Sequence, residues 1–408
     1  MKKIAFLAII LNIMVMGSSC SPLIQQQRAE PEHHDVSLLD VSFYTAPTDH
    51  KTYPLVAPKD VKNIILMIGD GMGLAQINAA RIRAVGADGF LHIDRMPVTG
   101  FLRTHAANAL ITESAASATA YATGRKTNTG MISVTPDSQK LYTVLEGARD
   151  MNKSTGLIAT STITHATPAC FAAHVPSRYE EREIAKHMVD TKVNVILGGG
   201  KGNFIPNPAD SLDRHPNLIE KAKNMGYSFI DTREELLFAT SDRLLGLFQI
   251  GPMSTNAPEP SIAEMTQKAI EILSKDEDGF FLMVEGSQID WGGHSNEPLY
   301  TLRQMLLFDE AIKVVMDFAL ADSNTLVIIT ADHETGGLSI NGGLIDGSKL
   351  RVDWTTRGHT GINIPIFAFG PNAERFMGLH DNTFVGLTIA DLFNITPFPR
   401  IINAANDH

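Results

Sequence analysis

Cysteine is nearly absent from this 408-residue chain, which contains only Cys20 and Cys170. A disulfide framework is therefore excluded, because Cys170 has no partner once Cys20 is removed or modified during export. Cys170 lies in the apolar stretch Thr-Pro-Ala-Cys-Phe-Ala-Ala, which favours a small core residue over a reactive thiol. The stability of this chain must then come from its hydrophobic core, with any bound ions adding to it.

A dense block of lysine and arginine is also missing. The chain has 34 Lys+Arg against 45 Asp+Glu, which gives a formal net charge of -11. A nucleic-acid-binding surface needs a basic patch, so we expect no nucleic-acid binding. Internal repeats are absent as well. Apolar residues make up 44% of the chain and charged residues 19%, proportions typical of a folded globular protein rather than a fibrous or disordered one.

The N-terminal segment, residues 1–20, has the layout of an export signal. Lys2 and Lys3 precede an apolar run that ends at Met16 and is too short to span a bilayer as a mature helix. Small residues directly before Cys20 resemble a bacterial lipoprotein cleavage site, and simple cleavage without a lipid is the alternative. We expect an exported protein that is periplasmic or held at the cell envelope by a lipid anchor at Cys20.

Two further parts are predicted after this signal. Residues 21–58 are polar and punctuated by proline, which is typical of a tether. Residues 59–408 are predicted to form one α/β domain. Within it, the stretch near 338–356 is polar and rich in glycine, which indicates a small loop insertion.

From residue 63 onward, short apolar runs alternate with helical patterns, which predicts a large, mostly parallel sheet flanked by helices on both faces. The runs are continuous in Ile, Leu, Val and Phe, as suits strands buried on two sides. Ser261 with Glu264 predicts a capping box, and Pro298 is a favourable residue for a first helical turn. The predicted strands are 63–68, 156–160, 193–197, 280–284, 326–330 and 364–369.

Polar residues that suit metal ions come at or after the ends of four predicted strands: Asp70, Thr167, Glu285 and the pair Asp332-His333. Ligands bind outside the carboxyl ends of the strands in open α/β sheets, so we expect these groups to converge at one edge. Asp and His together suit zinc, and carboxylate with hydroxyl suits magnesium. Each residue alone is weak evidence, since an isolated Asp-His pair is more often part of a turn.

The segment after Glu285 adds another aspartate and histidine, Asp290 and His294. They are four residues apart, so their side chains can share one helical face or surround one ion. The glutamate at the strand end can then point to a neighbouring ion.

Ser114 opens an alanine-rich stretch that favours a helix and that Gly124 would end. A helix N-terminus stabilises negative charge, which suits a serine that attacks phosphorus and becomes phosphorylated. The alternative is that Ser114 only caps the helix.

Taken in order along the chain, these motifs resemble the alkaline phosphatase family. They include the segment Ile68-Gly-Asp70-Gly-Met-Gly73, the serine segment, and the segment His174-Val-Pro-Ser-Arg178 with its arginine. The resemblance covers most of the chain after the signal and implies the family's α/β fold. The matched positions are Asp70, Ser114, His165, Thr167, Arg178, Glu285, Asp290, His294, Asp332, His333 and His359.

This resemblance implies a metal-dependent phosphomonoesterase that forms a phosphoserine on Ser114 and clamps the phosphate with Arg178. It implies broad specificity for small phosphate monoesters, and a homodimer. It also implies two zinc ions and one magnesium ion. The implied ligands are Asp290, His294 and His359 for the first zinc; Asp70, Asp332, His333 and Ser114 for the second; and Asp70, Thr167 and Glu285 for magnesium.

Three residues depart from the best-known bacterial pattern of the family. Glu113 precedes the nucleophile where Asp is usual, and in the family this acid orients the arginine, here Arg178. His165 replaces an Asp, which makes zinc the alternative to magnesium in the third site. Trp291 replaces a Lys, and the loss of that cation should weaken inhibition by inorganic phosphate.

Two other functions remain open on the sequence. One is a relative in the same superfamily that acts on phosphodiesters or sulfate esters, although the sulfatase nucleophile motif is not seen at Ser114. The other is a non-catalytic lipoprotein that binds metal or phosphate. Weaker motifs fit less well: the glycines around Asp70 lack the full dinucleotide-binding spacing, and Gly198-Gly-Gly-Lys201-Gly lacks the hydroxyl residue of a phosphate loop.

Overall fold

The computed structural model describes residues 34–402 except 208 and 211. In this part of the chain the strands are β1 (His34–Asp35), β2 (Asn63–Gly69), β3 (Val98–Arg103), β4 (Ser154–Thr162), β5 (Val195–Gly199), β6 (Ser228–Ile230), β7 (Leu244–Leu247), β8 (Phe280–Gly286), β9 (Thr325–Ala331), β10 (Glu334–Thr335), β11 (Leu338–Gly343), β12 (Leu350–Trp354), β13 (His359–Thr360), β14 (Ile364–Phe369) and β15 (Gly378–Asp381). The helices are α1 (Leu74–Val85), α2 (Ser114–Thr123), α3 (Val144–Asp150), α4 (Ala166–Ala172), α5 (Glu181–Asp190), α6 (Leu218–Asn224), α7 (Arg233–Phe238), α8 (Ile262–Leu273), α9 (Ile289–Ser295), α10 (Pro298–Ala321) and α11 (Thr383–Leu392).

A ten-stranded sheet runs through the centre of the described chain, in the order β15-β3-β14-β9-β2-β8-β4-β5-β7-β6. All of its pairings are parallel except those of β14, which runs antiparallel to both β3 and β9. The predicted large, mostly parallel sheet is confirmed, and it contains all six predicted strands. The four strands that were not predicted, β3, β6, β7 and β15, lie toward the two ends of the sheet.

The core lies on both faces of the central strands. Every residue of β2, β8 and β9 is buried, as continuous apolar runs require. The helices pack in two groups: α10 contacts α1, α8 and α9, whereas α2 contacts α3, α4 and α11. This arrangement buries the sheet and leaves its carboxyl edge for the polar residues that follow the strands.

Two predicted helix starts are confirmed. Helix α8 begins after Ser261, whose Oγ accepts the Glu264 amide at 3.2 Å while Glu264 Oε2 accepts the Ser261 amide at 2.9 Å. This reciprocal capping box satisfies two amides that the helix leaves unpaired. Helix α10 begins with Pro298, whose missing N–H has no helical partner to lose.

The stretch 338–356 is more ordered than a loop. Strands β11 and β12 form an antiparallel hairpin, and β1 adds a third strand to it. The glycine-rich composition suggested a loop, although the glycines of this stretch lie at positions with positive φ, which favour glycine. Gly347, for example, has φ +74 in the turn between the two strands.

Residues 34–58, the described part of the expected tether, pack on the domain rather than lead away from it. Val36, Leu39 and Tyr53 are buried in the core. The Tyr44 hydroxyl donates to the buried carboxylate of Asp309 at 2.7 Å. A few apolar anchors in a polar segment are enough to hold it against the domain.

The predicted export signal, with Cys20, lies outside the described residues and stays a prediction. Across the part of the chain that the structure describes, we find no helix with the length and apolar character needed to cross a membrane.

Candidate active site

Parallel strands place the candidate residues at one edge of the sheet. In β2, Gly69 pairs with Gly286 of β8 and with Ala331 of β9, so these strands end level with one another. Asp70 follows Gly69, and Asp332 follows Ala331. Strand β4 pairs with β8 on its other side and leads to the segment with His165 and Thr167. The structure thus brings together residues that are more than 260 positions apart in the sequence.

One group of possible metal ligands consists of Asp290, His294 and His359. The two histidine Nε2 atoms are 3.0 Å apart and lie 3.3 and 3.4 Å from Asp290 Oδ1. His294 Nδ1 contacts the Arg357 carbonyl, and His359 Nδ1 contacts the Thr112 carbonyl at 2.9 Å. A carbonyl can only accept, so each Nδ1 carries the proton. Both Nε2 lone pairs therefore converge with the carboxylate, which is the tautomer that a metal needs.

A second group consists of Asp70, Asp332 and His333, all fully buried. His333 Nε2 lies 3.1 Å from Asp332 Oδ2 and 3.6 Å from Asp70 Oδ1. Ser114 Oγ is 3.4 Å from the same nitrogen. His333 Nδ1 meets the hydroxyl of Thr335 at 3.2 Å, which leaves Nε2 free for a ligand as in the first group.

A third group combines Asp70 with His165 and Glu285, whose possible ligand atoms lie within 4.8 Å of one another. Thr167 is also fully buried and begins helix α4 with Ala166. Two different sets of ligands thus share Asp70.

Several polar atoms in these groups are buried and have no hydrogen-bond partner, which is costly in a folded protein. Bound cations would satisfy the oxygen atoms among them, because each is an acceptor of the kind that binds metals. The residues therefore fit the metal ions that the sequence implies. The buried atoms without a partner are Asp70 Oδ1 and Oδ2, His165 Nδ1, Thr167 Oγ1, Glu285 Oε1 and Asp332 Oδ2.

The carboxylates are crowded enough to disturb one another's ionisation. Burial raises the pKa of Asp70 well above its ordinary value, and the charges of Asp332, Asp290 and Glu285 add to the effect. Burial likewise raises the pKa of Glu285 to about 7. Divalent cations would reverse this, since their positive charge favours the ionised carboxylates.

Helix α2 presents Ser114 to the second group. The N-cap is Glu113 and not Ser114: its side chain accepts the amides of Ala115 at 3.0 Å and Ala116 at 2.8 Å. Ser114 is the first helical residue, so the alternative in which it merely caps the helix is wrong. The helix ends at Gly124 as predicted, with φ 66.

Arg178 lies beside Ser114's helix and is held by Glu113. Arg178 Nη1 donates to Glu113 Oε2 at 2.5 Å, and the Arg178 amide donates to the Gly130 carbonyl at 2.7 Å. Burial would raise the pKa of Glu113, but the Arg178 charge and three backbone N–H donors outweigh it and leave that pKa below its ordinary value. Glutamate at this position therefore still reaches the arginine despite its extra methylene.

His165 lies on the other side of the same guanidinium, with its Nε2 2.9 Å from Arg178 Nη2. Burial, reinforced by the Arg178 charge, lowers the pKa of His165 to about 4. The ring is therefore neutral. Trp291 lies on α9 directly after Asp290 and is partly exposed.

Sequence reasoning missed several residues that position the site. Thr335 contacts His333 and donates to Asp290 Oδ1 at 2.5 Å. Gln76 Nε2 donates a buried hydrogen bond to Glu334 Oε1 at 2.7 Å. Glu334 stands directly after the predicted Asp-His pair, and that adjacency was the one available signal.

Comparisons with known proteins agree with this geometry. The family model described as alkaline phosphatase matches residues 61–350 and 347–395. Alkaline phosphatase 3 of Bacillus subtilis (strain 168) is 36% identical over 417 residues, covering 81% of this chain and 88% of that protein. The structure of alkaline phosphatase from the Antarctic bacterium TAB5 superposes with a TM-score of 0.76 at 34% identity, covering 83% of this chain and 100% of that one. A variant of the TAB5 enzyme with Mg bound in its M3 site matches with a TM-score of 0.76 at 34% identity, covering 83% and 99% of the two chains.

Proposed function

This chain belongs to the alkaline phosphatase family, and from that premise we propose that Ser114 is its nucleophile and Arg178 its phosphate clamp. The protein is an enzyme that hydrolyses phosphate monoesters in a metal-dependent reaction. The observation that carries the assignment is the position of Ser114 Oγ, 3.4 Å from His333 Nε2 at the start of a helix. It faces a cluster of buried carboxylates whose oxygens lack partners.

We propose that two zinc ions and a third ion, magnesium or zinc, bind these groups. Asp290, His294 and His359 would hold the first zinc. Asp70, Asp332, His333 and Ser114 would hold the second, and Asp70, Thr167 and Glu285 the third ion, with His165 close by. Bound there, the ions would supply positive charge to the attacking and leaving oxygens of the transfer.

The serine does the covalent chemistry in this proposal. Ser114 Oγ bonds to phosphorus as the bond to the alcohol oxygen breaks, and water then displaces the serine and releases inorganic phosphate. The phosphoserine would lie at the N-terminus of α2, where the helix dipole favours negative charge. Every residue of that helix is buried, so its position is set by packing in the core.

Arg178 orients the phosphoryl group. Its planar guanidinium offers two parallel N–H donors to two phosphoryl oxygens, which lysine cannot reproduce. Glu113 holds one end of the guanidinium, so the fork is fixed before substrate arrives. Because these contacts involve the phosphate and not the alcohol, we propose a broad range of small monoesters as substrates.

The setting of the enzyme is also a proposal. The signal-like residues 1–20 support export to the periplasm or cell envelope, and the small residues before Cys20 support a lipid anchor. Similarity to the family supports a homodimer.

The decisive experiment is release of p-nitrophenol from p-nitrophenyl phosphate across pH, beside bis(p-nitrophenyl) phosphate and p-nitrophenyl sulfate. We expect fast hydrolysis of the monoester above neutral pH, lost after EDTA and restored by zinc with magnesium. Ser114→Ala should lose at least about 10³-fold in kcat, because it removes the hydroxyl that forms the proposed covalent intermediate. Preference for the diester or sulfate would place the protein elsewhere in the superfamily, and no turnover in metal-loaded protein would favour a binding lipoprotein.

A further inference from the structure

Glu334 carries a buried carboxylate that lies beside the metal-binding groups. The reaction described above does not use this carboxylate. Glu334 directly follows Asp332 and His333, and it is only 4% exposed. Within the described residues, its four hydrogen-bond donors are all uncharged groups. They are Gln76 Nε2 at 2.7 Å and the Leu338 amide at 3.3 Å on Oε1, and the Gly337 amide at 3.2 Å and Thr360 Oγ1 on Oε2.

Gln76 joins Glu334 to the loop that carries Asp70. Gln76 is fully buried in the first turn of α1, and its Oε1 accepts the Gly73 amide at 3.1 Å. Its Nε2 donates both to Glu334 and to the Thr335 carbonyl, the latter at 2.9 Å. A Cβ at Gly73 would lie 2.4 Å from Glu334 Cγ, so this approach requires glycine. The loop after β2 and the segment after β9 are therefore held together through this pair.

Thr360 joins Glu334 to the strand that carries His359. Strands β10 and β13 pair with Glu334 opposite Thr360 and Thr335 opposite His359. The Thr360 hydroxyl adds a side-chain bond to this short ladder by donating to Glu334. On the same ladder, Thr335 donates to Asp290 Oδ1. A shift of the Glu334 carboxylate would therefore displace the ladder that carries His359 and the Thr335 hydroxyl that donates to Asp290.

We propose that Glu334 is a positioning residue for the metal sites. Its carboxylate connects, through hydrogen bonds, the three segments that carry Asp70, the Asp332-His333 pair and His359. It thereby holds their ligand atoms close enough together to bind metal ions. The proposal rests on the metal ligands proposed above. Groups that orient metal ligands typically change metal affinity by about 10–100-fold.

The test is the rate at which zinc-loaded protein releases zinc to a chromophoric chelator, together with the zinc concentration that half-restores activity after EDTA. Glu334→Gln keeps the side-chain shape but turns an amide NH₂ toward at least one of the N–H or O–H donors. We expect faster zinc release and a half-restoring zinc concentration raised by about 10–100-fold. At saturating zinc the activity should largely return, whereas general misfolding would not be rescued in this way.

Glu235→Gln is the control for the change of glutamate to glutamine itself, made at an exposed carboxylate. Glu235 also accepts from neutral donors, the amides of Asp231 and Thr232 at 3.0 and 3.2 Å and the Thr232 hydroxyl at 3.0 Å, but it lies on α7 near the far end of the sheet. Zinc release from this variant should match that of the wild type. Release from Glu334→Gln at the wild-type rate would overturn the proposal.

Thr360→Val covers the case in which Glu334→Gln does not fold. It removes one donor and keeps the volume, and we expect zinc release several-fold faster than in the wild type. An unchanged rate would again overturn the proposal. Wild-type protein without zinc-dependent turnover would contradict the proposed function itself, whereas an active wild type beside unaffected variants would contradict the role of Glu334 alone.

Discussion

The guanidinium of Arg178 is held between two side chains of different kinds. Glu113 accepts from one end of the fork at 2.5 Å, and the neutral ring of His165 lies 2.9 Å from the other. Glu113 also caps the helix that begins with Ser114. One glutamate therefore aligns both the proposed nucleophile and the proposed phosphate clamp.

Replacing Arg178 with lysine should remove the fork while keeping the charge. Losing a charge-assisted, bidentate contact costs about 1.5–3 kcal/mol, so we expect kcat/KM for p-nitrophenyl phosphate to fall roughly 10–150-fold. Arg182→Lys is the matched control, because Arg182 pairs with Asp213 on the surface. Equal activity of the Arg178 variant and the control would rule out the clamp.

Trp291 stands where a lysine is usual in the best-known bacterial pattern. Trp291→Lys adds a cation next to the proposed first zinc site, so inorganic phosphate should inhibit more strongly, with a Ki lowered several-fold. Trp291→Phe removes the indole without adding charge and should leave that Ki close to the wild-type value. An unchanged or higher Ki in Trp291→Lys would show that the indole does not set phosphate inhibition.

At the scale of secondary-structure elements, the segment that carries Arg178 is anchored at its start. His174 Nε2 lies 3.0 Å from Glu146 Oε1 in the capping box of α3, and His174 Nδ1 lies 3.1 Å from the Ser133 carbonyl. The next residue, Val175, forms an isolated bridge with Ile132. Two layers of contacts thus fix this segment before it reaches the arginine.

The same anchor makes stability depend on pH. Burial first, and the nearby His174, lower the pKa of His187 to about 4, and its Nδ1 accepts the His174 amide at 3.1 Å. The unfolded chain binds this proton near its ordinary pKa of 6.5, whereas the folded chain does not. The contribution of His187 to the free energy of unfolding is therefore fully present above pH 6.5. It falls as the pH drops toward 4, by at most about 1.4 kcal/mol per pH unit.

Urea unfolding of wild type and His187→Gln between pH 7 and pH 4.5 checks this prediction. The variant should lose less stability than the wild type over that interval. Parallel losses in the two proteins would mean that other groups carry the acid sensitivity.

At the scale of the whole molecule, the metal sites connect β2, β8, β9 and the segments that follow them. Without cations, this junction keeps several buried carboxylate oxygens unpaired. Ions bound only by the folded state stabilise it by about 2.7–4.1 kcal/mol at 100–1,000 times their Kd.

Removing the metals should therefore lower the melting temperature by roughly 5–16 °C, since each kcal/mol corresponds to about 2–4 °C in a large domain. Differential scanning calorimetry before and after EDTA, and again after zinc and magnesium are returned, measures the change. Identical melting curves in all three states would contradict a structural contribution from the ions.

Much of the fold and of the candidate site could be predicted from the sequence. The central strands are buried on both faces, so their continuous apolar runs are visible without any tertiary information, and all six predicted strands lie in the sheet. Residues such as Asp70 and Asp332 directly follow those strands, and parallel pairing necessarily brings their ends to one edge. The short strands near the sheet ends, such as β6 and β15, could not be predicted because partial exposure leaves them no such pattern.

The sequence by itself determined which chemical groups reach the carboxyl edge of the sheet, because local apolar runs and helix caps specify where each element ends. Only the tertiary structure decided how those groups are held. Side-chain contacts and strand pairing decide that Glu113 caps helix α2, that β11 and β12 form a hairpin, and that Gln76 donates to Glu334. Gln76 and Glu334 are 258 positions apart, and no local pattern encodes a hydrogen bond across that distance.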